Sequence, residues 1–256
     1  HFTGSQATFN HLWSSIGENL DQYKTYPTIV GETGGKDFIV AHPTADVDEV
    51  ATAIVRGGYE YQGQKCSASS RLYMPESLWP DIREAVTDQL DEISVGPPED
   101  FTNFVNAVID ERAFNKITSY IEDARDDEDA EIIYGGDYDD STGYFIEPTL
   151  IRATDPKQTT MREEIFGPVI TVYVYPHDAF ASPLTLVDET SPYALTGSIF
   201  AKSQSAVKLA SDVLEQAAGN FYVNDKPTGA VVGQQPFGGA RRSGTNDKAG
   251  SAFNLM

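Results

Sequence analysis

The chain has 256 residues, and 39 Asp and Glu against 18 Lys and Arg give a formal net charge of −21. Apolar types make up 40% of it and aromatics 11%, enough to bury a core in one large domain or two smaller ones, so disorder is excluded as a class. So acidic a chain excludes a nucleic-acid partner, because phosphate neutralisation needs clustered Lys and Arg. No apolar run nears the roughly 20 residues that span a bilayer, so no membrane partner is expected.

The chain opens at His1 with no charged or apolar targeting segment ahead of Phe2, and it closes at Met256 inside the apolar stretch 252–256. Both ends read as cut, and an interior piece of a longer protein is expected. Residues 8–23 have helical spacing, with Phe9, Leu12, Trp13, Ile16 and Leu20 on one stripe that places Trp13 in the core. Residues 28–30 read as a short strand running into Gly31-Glu32-Thr33-Gly34-Gly35-Lys36, and 38–41 as a second strand. Residues 46–59 predict a helix that turns Val47, Val50, Ile54 and Val55 inward. Residues 71–74 predict a strand ended by Pro75, and 77–93 a helix with Trp79 in the core.

Further on, 110–124 reads as a helix, 131–134 as a strand and Gly135-Gly136 as a turn. The densest acidic run, 122–131, reads as a solvated helix end and loop. Residues 145–152 and 169–175 look extended, the latter by its β-branched and aromatic content. A strand at 196–201, a helix at 203–217 and a strand at 220–224 lead into a Gly-rich region from 229 to 250. Strands alternating with helices predict an α/β architecture, one main domain with a short stub ahead of it. So large an uncompensated negative charge keeps a protein soluble and is used by halophiles, so adaptation to salt is a hypothesis.

The lone cysteine excludes an internal disulfide framework and any multi-cysteine metal site. Cys66 reads in two ways: as a small buried hydrophobe, or, with small polar neighbours and Lys65 beside it, as a thiolate nucleophile favoured by a nearby cation. Glu32, between glycines at a strand end, is either an exposed acid or a general base held where backbone and ligand approach closely. Phe2-Thr3-Gly4-Ser5 before a helix is either ordinary capping or a turn that offers N–H groups to phosphate. Residues 162–168 (REEIFGP) and 235–239 (QPFGG) pass alone as loop and turn. The four histidines are scattered, and no metal site is expected.

Taken in order, FTGS at 2–5, GETGGK at 31–36, GQKCSASSR at 63–71, EEIFGPV at 163–169 and PFGG at 236–239 resemble the aldehyde dehydrogenase superfamily over essentially the whole chain. ETGGK, Lys65 ahead of the cysteine, and SGTNDKAG at 243–250 resemble its branch acting on glutamate γ-semialdehyde. The resemblance implies a mostly parallel sheet with flanking helices, residues 34–256 being a catalytic domain cut before its oligomerisation strand. Residues 1–33 would be the end of a Rossmann-type cofactor domain.

It also implies NAD-dependent oxidation of the semialdehyde to glutamate in proline catabolism, through a thiohemiacetal and a thioester on Cys66, with Glu32 activating the hydrolytic water. Gly4 and Ser5 would hold the pyrophosphate, Glu164 the nicotinamide ribose, and Phe166 would pack near the nicotinamide. Lys65, Ser67, Gly229, Ala230 and Phe237 would hold the substrate, with Ala230 lacking a hydroxyl that some relatives place there. The Cys66 N–H would be one oxyanion donor, while the family's second donor, an Asn, falls ahead of His1. The expected partners are a small-molecule substrate and copies of the chain itself in a homo-oligomer, in the cytoplasm of a bacterium or the mitochondrial matrix of a eukaryote. The alternatives are a dehydrogenase of another aldehyde, a cofactor-free ester or thioester hydrolase, and an inactive fragment.

Overall fold

The computed structural model describes residues 1–231 and 233–255; Val232 and Met256, the end of the apolar stretch noted above, lie outside the described residues. Strand β1 (Phe2–Thr3) turns through Gly4 and Ser5 into α1 (Gln6–Glu18), and the chain returns as β2 (Gly31–Glu32), parallel to β1. Then come β3 (Asp37–Ala41), α2 (Val47–Gly58), the loop carrying Cys66, β4 (Ser69–Pro75) and α3 (Trp79–Asp91). A ribbon of β5 (Ser94–Val95) and β6 (Asn103–Val105) precedes α4 (Glu111–Asp126) and β7 (Ala130–Tyr134). A second ribbon, β8 (Tyr138–Asp139) with β9 (Phe145–Ile146), leads to β10 (Thr149–Ala153), the one-turn α5 (Thr159–Arg162) and β11 (Val169–Tyr175). The chain ends with α6 (Ala181–Thr190), β12 (Tyr193–Ala194), β13 (Thr196–Phe200), α7 (Gln204–Leu214), β14 (Asn220–Val223) and β15 (Ala240–Arg241), which pairs with β12.

Seven strands form the central sheet in the order β14-β13-β3-β4-β11-β10-β7. Every pairing is parallel except β7 on β10. This is the α/β, mostly parallel fold that the sequence predicts. Strands of such a sheet are covered on both faces and read as continuous apolar runs. In β3, Ile39 and Ala41 join the core under α2 and α3, while Phe38 and Val40 join the core under α6 and α7. The helices follow their caps: Asp46 accepts from Asp48 and Glu49 at the start of α2, Asp110 from Ala113 at α4, and Ser203 from Ala206 at α7.

Three local expectations need correction. Of residues 28–30 only Val30 hydrogen-bonds to β1, its carbonyl accepting the Phe2 N–H at 2.9 Å; the strand begins three residues later because Phe2 is in register with Gly31 and Thr3 with Glu32. Trp79 is buried, but Trp13 is 53% exposed and α1 buries no residue, since its apolar stripe has no layer to pack on among the described residues. Helix α6 lies where the sequence predicts no element. The acidic run 122–131 does fall on the end of α4 and the turn after it, mostly exposed. Among the described residues no helix is long and apolar enough to cross a membrane.

Candidate active site

In doubly wound sheets ligands gather at the carboxyl ends of the strands. Here the chemistry-bearing loops lie at the amino ends: Glu32 to Lys36 lead into β3, Gln64 to Ala68 into β4, and Glu163 to Pro168 into β11. These are three neighbouring strands of the sheet. The stub of β1, α1 and β2 stands over that edge. Tyr193 Oη donates to Gln6 Oε1 at 3.2 Å, and Thr33 N–H donates to Ser243 O at 2.9 Å.

Two glycines let the loops converge. A Cβ on Gly35 would lie 2.1 Å from the Cys66 carbonyl oxygen, and one on Gly34 would lie 2.6 Å from Glu164 Oε2. Across this contact the Gly35 N–H donates to Glu164 Oε1 at 2.8 Å. The Cys66 loop follows a sharp bend in which Tyr61, Gln62 and Gly63 all have positive φ. Together these segments wall a cavity of about 1060 Å³ that includes Gly4, Ser5, Lys65, Cys66, Ser67, Glu164, Phe166, Ala230 and Phe237. Nine of the eleven expected site residues therefore share one cavity.

The other two do not line it. Gly229 donates its N–H to Lys226 O at 3.1 Å, so that donor is engaged in a turn. The Glu32 carboxylate is turned to the Gly239 N–H, which it meets at 3.0 Å through Oε2 and 3.3 Å through Oε1. Burial pushes this carboxyl up to about 7; Asp247 adds to the rise, and the Gly239 N–H and Lys248 oppose it.

The expected basic field around the nucleophile is corrected. Lys65 Nζ is paired with Glu60 Oε2 at 2.7 Å. Lys36 is fully buried, and its ammonium has no hydrogen-bond partner among the described residues. Burial and then Arg71 push its pKa down to about 7, against Glu164 and Asp37, so it carries only part of its charge at neutral pH. Asp37 beside it is pushed up by burial although Thr196 N and Oγ1 both donate to it. Burial, then Asp37, Glu164 and Glu32, push the Cys66 thiol up to about 11, and only its own backbone N–H pulls the other way. The resting thiol therefore keeps its proton, and the attacking step needs a base.

Helix α4 supplies site residues that sequence reasoning missed. Arg112 and Lys116 line the cavity, and Lys116 Nζ donates to Glu164 O at 2.7 Å. Their i, i+4 spacing puts two cations on one helix face, a signal present in the sequence. Thr228 also lines the cavity, with its hydroxyl buried and without a hydrogen-bond partner among the described residues.

The aldehyde dehydrogenase family matches residues 1–255. The chain is 56% identical over 258 residues to the mitochondrial delta-1-pyrroline-5-carboxylate dehydrogenase of Dictyostelium discoideum, covering all of this chain and 46% of that protein. It is 52% identical over 257 residues to the human mitochondrial enzyme of the same name, again covering 46% of it. The crystal structure of the delta-pyrroline-5-carboxylate dehydrogenase from Mycobacterium tuberculosis bound with NAD superposes with a TM-score of 0.93 at 50% identity, over all of this chain and 46% of that one. The chain thus spans about half the length of the relatives it matches.

Proposed function

The chain belongs to the aldehyde dehydrogenase family, and from that premise we propose that it carries the nucleophile and base of an NAD-dependent enzyme that oxidises L-glutamate γ-semialdehyde to L-glutamate in proline catabolism. The observation that carries this reading is the single cavity in which Cys66, Glu164, Phe166 and the start of α1 meet. The relatives just described, one of them holding NAD, bear the matching names.

The residues present fit the pyrophosphate and nicotinamide-ribose half of the dinucleotide. Helix α1 has no acid in its first turn, so its free N–H groups and dipole, reached past Gly4 and Ser5, suit an anion. Glu164 places a carboxylate where a ribose hydroxyl can donate to it, and Phe166 keeps an exposed ring on the same wall. When bound, NAD supplies the two-electron acceptor that turns a thiohemiacetal into a thioester. All other steps fall to the chain's own groups. Glu32, ionising near neutral pH, takes the Cys66 proton when its carboxylate turns from the Gly239 N–H into the cavity, as sulfur bonds to the aldehyde carbon. The Cys66 N–H is the chain's own donor for the oxygen on which charge develops. Glu32 passes the thiol proton to solvent; after oxidation it takes a proton from water as the new C–O bond forms, and returns it to the Cys66 sulfur as the C–S bond breaks. Glutamate leaves, and the thiol is restored.

For the substrate, Phe237 offers a wall to the aliphatic stem, and Ser67 offers a hydroxyl. The α-carboxylate finds no hydroxyl at Ala230, and Thr228 on the same cavity wall carries one without a partner among the described residues. Arg112 and Lys116 supply the cationic character assigned to Lys65, whose charge Glu60 offsets. A boundary after Thr33 fits the separation of β1 and β2 from the central sheet. The exposed edge strand β14 fits a homo-oligomer in which a strand from a second copy is added.

The test is NADH formation by the whole protein with pyrroline-5-carboxylate against simple aliphatic aldehydes, for wild type and Cys66→Ala. Cys66→Ala is expected to lower turnover by at least about 10³-fold, the loss of covalent catalysis. Activity surviving that change would remove Cys66 as nucleophile. Equal turnover of aliphatic aldehydes would remove the substrate assignment. Product released without NADH would favour a hydrolase.

A further inference from the structure

The environment of Glu32 holds a cation that takes no part in the bond-making steps, the Lys248 ammonium. The N–H donated to its carboxylate belongs to the peptide group joining Gly238 to Gly239. The carbonyl end of that same peptide accepts Lys248 Nζ at 3.3 Å, and the same ammonium donates to Gly219 O at 2.5 Å. One peptide plane is therefore held between a cation at its oxygen and a carboxylate at its nitrogen. A cation on a peptide oxygen polarises the group and strengthens its N–H as a donor. A side chain at Gly238 would wedge into this arrangement, its Cβ lying 3.1 Å from Lys248 N and 3.2 Å from Glu32 Oε1.

The loop that carries Lys248 is stitched to the strand that carries Glu32. Thr245 N donates to Gly31 O at 2.9 Å, Thr33 N to Ser243 O at 2.9 Å, and Glu32 bridges to Gly244 in antiparallel fashion. Lys248 itself sits at a φ of 54°, a left-handed conformation that a non-glycine residue adopts only where its surroundings dictate it.

We propose that Lys248 is the positioning residue of the general base: its ammonium fixes and polarises the Gly238–Gly239 peptide that donates to Glu32, and its charge favours the ionised carboxylate. This inference rests on the role given to Glu32 above. The charged and titratable groups facing Glu32 are Lys248 and Asp247 from the closing loop, and Cys66 from the nucleophile loop. Lys248 opposes the rise that burial and Asp247 impose, so removing its charge makes Glu32 hold its proton to higher pH.

The experiment follows hydrolysis of p-nitrophenyl acetate by the whole protein without cofactor, as a function of pH, since an acyl group on Cys66 is cleared there with no redox step. Lys248→Gln keeps a donor and removes the charge, Lys248→Met removes both, and Lys248→Arg keeps both. The acid limb is expected to move up by about half a pH unit or more in the Gln and Met variants, lowering the rate at pH 6 about threefold or more. The rates should converge at high pH, and Lys248→Arg should return the limb to within about 0.2 of wild type. A purely structural role would lower the plateau at every pH and leave the limb in place, which overturns the proposal. If Lys248→Met does not fold, the Gln and Arg variants decide in the same way. In Glu32→Gln the limb should vanish. A limb that persists there sinks both the role of Glu32 and that of Lys248. A limb that vanishes there but stays unmoved in Lys248→Gln sinks the Lys248 proposal alone.

Discussion

A carboxyl whose pKa is pushed up to about 7 is a serviceable base at neutral pH, and it weakens the fold that holds it. The sign follows from proton linkage. Glu32 has an ordinary value of 4.5 when exposed, so the folded protein binds its proton more tightly than the unfolded chain does. The stability it contributes is full below about pH 4.5 and is lost as pH rises through about 7. Because Glu32 is only half-buried, solvent screening reduces the effect to about 1–2 kcal/mol. Glu32→Gln is therefore expected to raise the thermal midpoint by several degrees at pH 8, to leave it almost unchanged at pH 4.5, and to slow hydrolysis of the acyl-enzyme. Thermal unfolding at the two pH values checks this, and a shift of equal size at both would contradict it. The neighbours of Cys66 and the glycines around Glu32 left two readings open at this scale, and only the motifs taken in order made them candidates for one site. The sign of the local field was not: Lys65 is adjacent in sequence but turns to Glu60, whereas Asp37 and Glu164 arrive from other strands.

At the scale of elements, the site depends on how closely three loops approach one another. Gly35 has no room for a methyl group, and the atom it would strike is backbone, the Cys66 carbonyl oxygen. Gly35→Ala is expected to displace the nucleophile loop by about an ångström and to lower kcat about 10²-fold, with stability falling about 1–3 kcal/mol. Steady-state kinetics beside thermal unfolding would show it, and an unchanged kcat would mean that the loops give way elsewhere. Elements with strong internal signals were legible: β11 by its β-branched and aromatic run, α2, α4 and α7 by apolar spacing and their Asp or Ser caps. The errors have physical causes. Residues 28–30 have strand-forming side chains, but the two-residue β1 reaches back no further than the Val30 carbonyl, and pairing rather than propensity sets where β2 begins. Helix α6 contains Pro183, which reads as a breaker, yet proline is tolerated in a first helical turn, where its missing N–H has no partner to lose. Its Leu184 and Val187 are buried against β3, an attraction that no local pattern shows.

At the scale of the whole molecule, the −21 charge and the acidic environment of Cys66 are separate matters. Burial first, and then the three acids Asp37, Glu164 and Glu32, raise the thiol, while the acidic excess is densest at the exposed end of α4 and the turn after it. The cations that pair with acids, such as Lys202 with Asp46 and Lys208 with Asp212, are partly exposed and each contributes little. With 39 acids against 18 bases, the acids outnumber the cations that could pair with them about two to one, and the uncompensated carboxylates repel one another. That repulsion acts over about 10 Å at 0.1 M salt and over about 3 Å at 1 M, so added salt removes most of it in the folded state. The unfolded chain carries the same charge spread over a larger volume and gains less. Stability is therefore expected to rise with salt: the thermal midpoint should climb by several degrees between 0.05 and 1 M KCl at pH 8, most steeply at the low end, where screening changes fastest. At pH 5, where carboxylates begin to gain protons, the climb should shrink. A midpoint indifferent to KCl, or a climb of equal size at both pH values, would show that surface repulsion does not limit this fold and would remove the case for adaptation to a salty solvent.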